Sequence, residues 1–258
     1  MITIKRFGLG VLGLVLAGSA AAANFSVSPL RLDLTGRRAV VVVAHEGDTP
    51  LELKVEAKSW TQVAGKDVYN DTSDLNFFPK QFTLPTPTEG QGKGKASNAN
   101  PNQRFISVSI ADKGAMSGTE KAYRLFITEL PPPHHEAGES VVIRTSFGIP
   151  AFVSDPKAKV SAKLSASVEG GGAGLIKVRL TNQGTAHAHL KSITSDPAGI
   201  TSGELDEWYV LPGASHLYSL PISGSVCSAS QATLSINLDQ GKPIAVPVSV
   251  PSGACKSG

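Results

Sequence analysis

Residues 138–156 read GESVVIRTSFGIPAFVSDP. From Val141 to Phe147 every second position is apolar or threonine (Val141, Ile143, Thr145, Phe147), while Arg144 and Ser146 fall on the other side. That period of two belongs to a half-buried β-strand. Inside a sheet such a strand is ordinary. At an edge it offers a row of unpaired N–H and C=O groups to any other chain, a liability that a protein keeps only for a reason.

Outward from this stretch, short alternating or β-branched runs recur along the whole chain. They cover 25–34, 39–44, 51–60, 105–110, 122–130, 141–153, 158–168, 175–181, 187–193, 208–211, 215–220, 232–237 and 244–250. Turn-forming clusters such as Gly47-Asp48-Thr49-Pro50 and Asn182-Gln183-Gly184 separate them, and no window carries a sustained helical stripe between caps. An all-β reading follows, built from sandwiches. Ser154-Asp155-Pro156-Lys157 divides the runs into two sets of six or seven, and a proline there interrupts a ladder. The expected organisation is a signal peptide over 1–23 and two immunoglobulin-like domains over 24–154 and 155–258. Gly170 to Gly174 lies too far inside the second set to be a boundary and reads as a hairpin loop.

The N-terminus supports export. Lys5 and Arg6 precede an apolar, glycine-rich middle from Phe7 to Leu16 and a small-residue end at Ala21-Ala22-Ala23, the pattern of a secretory signal cleaved before Asn24. The apolar part is too short to span a bilayer, and no later run approaches about 20 residues. Loss of Lys5 and Arg6 lowers the net charge from the +3 of the full chain to +1, so nucleic-acid binding gains no support. Cys227 and Cys255 both lie in the C-terminal quarter, and an oxidising compartment favours a disulfide between them.

Signals of catalysis are weak. There is no glycine-rich phosphate loop, G-x-S-x-G, H-E-x-x-H or C-x-x-C. His134-His135-Glu136 follows Pro131-Pro132-Pro133 and reads as a solvated loop, because neighbouring strand residues point to opposite faces. His187 and His189 would share one strand face and are the better metal candidates, but no Cys, Asp or Glu lies nearby in sequence to complete a site. Asp33, Glu129 and Asp155 follow no spacing that would join two of them as an acid pair. Neither a metal nor a cofactor is expected. The segment PTPTEGQGKGKASNANPNQ, 85–103, is nearly free of apolar side chains and reads as a long loop of the first domain.

Several phrases, taken in order, resemble the periplasmic assembly chaperones of the chaperone-usher pathway. They are FSVSPLRLDL (25–34), GDTPLELKVEAKSW (47–60), AYRLFITELPP (122–132) and the opening stretch ending IPAFVSDP, then LIKVRLTNQGTAHAHLKSI (175–193), WYVLPGASHLYSLP (208–221) and GKPIAVPVSV (241–250). The resemblance implies two immunoglobulin-like domains in an L or boomerang arrangement, no catalysis and no ATP. It further implies that an edge strand of the first domain, matched by Val141, Ile143, Thr145 and Phe147, is lent to pilus subunits that lack the last strand of their own sandwich. An outer-membrane usher would then receive the subunit.

Arg31 matches the arginine that, in the better-known branch of that family, anchors the subunit's C-terminal carboxylate together with a lysine at the end of the lent strand. Pro150 stands where that lysine is expected, so Arg124 or Arg144 is the candidate second cation. The wording Ile149-Pro150-Ala151-Phe152-Val153 is more similar to the archaic branch that serves spore-coat-U-like subunits. Self-association of the free protein through its edge is a further expectation. The competing readings are a secreted binding or adhesion module using loop 85–103 and, with less support, an enzyme.

Overall fold

The computed structural model describes residues 25–36, 38–86, 102–111, 116–131, 144–203, 205 and 208–255. The signal peptide, His134, His135, Glu136, Val141, Ile143 and most of loop 85–103 lie outside the described residues. Ten strands form the first half: β1 (Phe25–Ser28), β2 (Leu32–Leu34), β3 (Ala39–His45), β4 (Leu51–Val63), β5 (Lys66–Asp71), β6 (Leu75–Phe78), β7 (Gln81–Leu84), β8 (Gln103–Ile110), β9 (Lys121–Glu129) and β10 (Ser146–Val153). They build one sheet in the order β1-β3-β8-β6 and a second in the order β2-β10-β9-β4-β5, with β7 also paired to β4. Seven strands form the second half: β11 (Leu164–Gly172), β12 (Leu175–Asn182), β13 (Ala188–Asp196), β14 (Tyr209–Val210), β15 (Ser215–Pro221), β16 (Gln231–Leu238) and β17 (Ile244–Ser249). Their sheets run β11-β12-β15 and β14-β13-β16-β17. No α-helix occurs among the described residues, and the fold is all-β with two immunoglobulin-like sandwiches.

Alternation explains the cores. Leu51, Leu53, Val55 and Ala57 of β4 are buried, as are Tyr123, Leu125 and Ile127 of β9, because every second side chain faces the opposite sheet. The run 25–34 is not one strand. It breaks at Pro29, so that β1 pairs with β3 in one sheet and β2 runs parallel to β10 in the other. Three strands fall outside the sequence-based runs. β5 is almost entirely polar and solvent-facing, and β6 and β7 have four residues each with Pro79 between them. Gly170 to Gly172 extend β11 rather than forming the loop. A bulge between Val168 and Gly170 absorbs them, and the turn itself is Ala173-Gly174, both at positive φ as a two-residue hairpin turn requires.

The two sandwiches meet through apolar and polar contacts. Trp60, Ala122 and Phe152 belong to the first half in sequence but pack in the second core. The Gln62 side-chain amide donates to the Tyr209 carbonyl at 3.0 Å and accepts from the Leu211 N–H at 2.9 Å, as a piece of neighbouring strand would. Glu120, whose side chain is only 7 % exposed, accepts from the His187 backbone N–H at 2.9 Å and from its Nδ1 at 2.7 Å. The His187 ring stacks on Phe152 at 3.6 Å. Cys227 and Cys255 are joined as a disulfide, which ties the short 3-10 turn Gly224–Ser228 to the C-terminal segment.

Candidate binding cleft

β10 is antiparallel to β9 along its whole length, but β2 flanks its other side only at Ala151, Phe152 and Val153. From Ser146 to Pro150 the outer edge has no strand partner among the described residues. The direction of each backbone group follows from two hydrogen bonds. Glu129 N–H donates to the Thr145 carbonyl at 3.0 Å, and Leu130 N–H donates to the Glu52 carbonyl at 2.9 Å. Odd-numbered residues of β9 and β10 therefore bond each other, and Ser146, Gly148 and Pro150 direct their backbone groups away from β9. The nitrogen of Pro150, which carries no hydrogen, thus falls on the open side and costs the β9 ladder nothing.

The side chains of β10 divide by face. Ile149, Ala151 and Val153 are buried in the first core, and Phe147 packs against it with its ring edge-on to Phe25 at 5.1 Å. Thr145 precedes the strand and is half-buried, and its N–H reaches Glu129 Oε2 at 3.4 Å.

Beside the open edge lies a cleft of about 810 Å³ between the two sandwiches. Arg31 and Arg124 both line it. Arg31, 20 % exposed, donates from Nε to Asp33 and from Nη1 to Asp239, each at 3.2 Å. Burial works against its charge, but Asp33, Tyr209 and Asp239 outweigh that and hold the guanidinium above its usual range. Arg124 stands opposite Pro150 in the β9–β10 register. Its guanidinium lies 4.1 Å from the centre of the Trp60 ring, donates from Nη1 to the Gly148 carbonyl at 2.8 Å and comes within 3.9 Å of Asp67. Its Nε is buried and has no hydrogen-bond partner among the described residues. Gly148 matters to this arrangement, because a Cβ there would sit 3.1 Å from the Phe126 ring beside the Arg124 side chain. Arg144 is exposed and does not line the cleft.

The far wall belongs to the second sandwich. His189 stacks on Tyr209 at 4.4 Å and lies near Trp208, which is 53 % exposed and lines the cleft together with Leu30, 66 % exposed. Burial, with Arg31, His187 and Lys191 nearby, lowers the His189 pKa against the opposing pull of Asp239. Asp239 itself is held below the usual carboxylate range by its hydrogen bond to Lys191 and by His189 and Arg31.

His187 is hydrogen-bonded to Glu120, His189 Nδ1 lies 3.7 Å from Asp239 with no hydrogen bond to it, and no group of three metal-ligating side chains forms among the described residues. Asp33, Glu129 and Asp155 are likewise engaged separately, by Arg31, Thr145 and Lys157. Sequence reading missed Asp239, Trp208, Tyr209 and Leu30 as cleft residues. Leu30, between a proline and an arginine in a strand that had to break, carried the one local signal.

No family model matches the sequence, and no curated protein matches it. Solved structures do. The CsuC–CsuE chaperone–tip adhesion subunit pre-assembly complex from archaic chaperone-usher Csu pili of Acinetobacter baumannii is similar over 88 % of this chain and 98 % of that one, at 18 % identity and a TM-score of 0.61. The chain has the fold of the pilus chaperones. The same fold relates it to the Salmonella enterica SafA pilin–SafB chaperone complex, over 90 % of this chain and 99 % of that one, at 16 % identity and a TM-score of 0.56. The E. coli chaperone DraB matches 88 % of this chain and 96 % of its own at 13 % identity and a TM-score of 0.53. In the pilus-chaperone fold of this chain, the cleft and the open edge of β10 are adjacent.

Proposed function

We propose that this protein is a non-enzymatic periplasmic chaperone that captures incomplete pilus subunits by lending them the edge of β10 together with the preceding residues Val141 to Thr145, and delivers them to an outer-membrane usher. In this reading residues 1–23 direct export, 24–154 form the lending domain and 155–258 the second. The observation that carries it is an unpaired strand edge from Ser146 to Pro150 lying beside two arginines.

A sandwich that lacks one strand exposes backbone groups and an apolar core, both costly in water. An added strand satisfies the ladder while its alternate side chains fill the core. Each large apolar side chain so buried supplies about 1.5–3 kcal/mol before ordering costs, and no ATP is needed.

Geometry sets where a captured chain would stop. β2 occupies the edge of β10 from Ala151 onward, so a strand added parallel to β10 would end near Pro150, between Arg31 and Arg124. A terminal carboxylate there would meet two guanidinium groups, each suited to paired hydrogen bonds. Arg124, opposite Pro150, is therefore favoured over exposed Arg144 as the replacement for the missing lysine.

The test is Ile143→Asp, purified from the periplasm beside the unaltered protein. An unpaired carboxylate entering an apolar core should abolish capture, so a folded variant that has lost a small β-rich partner is the expected result. A folded variant that retains every partner would overturn the proposal.

A further inference from the structure

Arg124 is not idle at the cleft wall. Its Nη1 occupies the Gly148 carbonyl, one of the few outward-facing acceptors on the open edge of β10, since the parallel register of β2 directs the Leu32 N–H to the carbonyl of Pro150. A strand pairing with that edge needs the same acceptor for one of its own N–H groups. A pairing N–H competes with Nη1 for that oxygen, and exchange of one for the other frees the guanidinium. Once displaced, Arg124 stays in the cleft, because the Trp60 ring lies beneath its guanidinium at 4.1 Å. With Nη1 released, Nη1 and Nη2 present two parallel N–H groups beside Pro150, Nη2 lying 3.9 Å from Asp67 and so outside hydrogen-bond distance of it.

We infer that Arg124 is a two-position residue: it guards the edge by capping Gly148 when the protein is empty, and becomes a ligand of the captured chain's terminal carboxylate when that chain takes the Gly148 carbonyl. Strand pairing and carboxylate anchoring are thereby linked through one side chain. The cap exchanges a neutral acceptor for a charged one, and hydrogen bonds between ions are the stronger kind. The same contact also blunts the bare edge against pairing with a second copy of the chain. This inference rests on the proposed function.

The test uses the exported protein and two synthetic probes: a nine-residue peptide of alternating valine and threonine with a free C-terminal carboxylate, and its amidated twin. Binding is followed by the Gly148 carbonyl-carbon resonance and the Arg124 Nε–Hε resonance. Both peptides should move Gly148, and only the carboxylate peptide should also leave Arg124 Nε–Hε with the shift of an ion-paired guanidinium. The unaltered protein should prefer the carboxylate peptide by about tenfold, the worth of one charge-assisted hydrogen bond. In Arg124→Gln the preference should fall to about threefold, the part left to Arg31, with the amidated peptide bound at least as tightly as before. Arg124→Lys, which keeps the charge without the fork, should fall between and replaces the glutamine variant if that does not fold. An unchanged preference in these variants while Gly148 still moves would overturn the two-position role and leave strand lending standing. If neither peptide moves Gly148, strand lending at this edge falls, and the inference falls with it.

Discussion

The two halves of β10 share one ladder with β9 and differ in everything on the other side. From Ala151 to Val153 the strand is flanked by β2, and its side chains are sealed into both cores, Ala151 and Val153 into the first and Phe152 into the second. From Ser146 to Pro150 the outer backbone faces the cleft and a single arginine caps one carbonyl. The difference originates far away in sequence, at Pro29. There the first run leaves one sheet and joins the other only at Leu32, opposite Ala151 and five residues too late to cover the start of β10. An open edge can thus be made by withholding a neighbour, without altering the strand itself.

The contrast breaks most severely at Phe152→Ala. Removing this buried ring deletes contacts with Trp60 and His187 at once and should cost about 3–5 kcal/mol, read from the denaturant midpoint. A smaller effect is expected from acid. His189 and Asp239 both have folded pKa values below their usual ones, so the folded state binds fewer protons than the unfolded chain. Their stabilisation is therefore present above the usual values and is lost as pH falls, first below about 6.5 for His189 and then below about 3.8 for Asp239. Midpoints measured down this range should decline in those two windows, and because Asp71 and Glu169 are held low as well, Asp239→Asn should shrink the lower decline without abolishing it. The smallest effect on folding belongs to Ser146→Pro. Its N–H points away from β9, so stability should change by no more than about 0.5 kcal/mol, while partner capture is lost. A large loss of stability there would show that the edge is not open.

Much of this was legible in the sequence, for a physical reason. Alternation is a local property, so strands with one buried face such as β4, β9 and β12 stand out. β5 buries no face and leaves no such trace, and the glycines of β11 imitate a loop because a bulge tolerates them. Thr145 and Phe147 were legible as strand-like residues, but which neighbour the strand lacks depends on pairing across about 120 positions. Arg31 was legible through its phrase. Its partner Asp239 lies 208 positions away, and nothing around Asp239 in the sequence marks it. His187 and His189 illustrate the converse. Their shared face suggested a metal, whereas Glu120 hydrogen-bonds the His187 ring and Asp239 lies 3.7 Å from His189, each carboxylate brought by another element.

The junction built by Gln62, Glu120, Trp60 and Phe152 has a consequence for orientation. With an amide reading two backbone groups, a buried carboxylate reading the backbone N–H and the ring of one histidine, and two large rings inserted in the opposite core, the sandwiches are welded at their corner. A chain laid along β10 would accordingly be carried at a preset angle to the second sandwich, like a part clamped in a jig. Whatever receives it would read that angle from the outside, with no swinging of one half against the other.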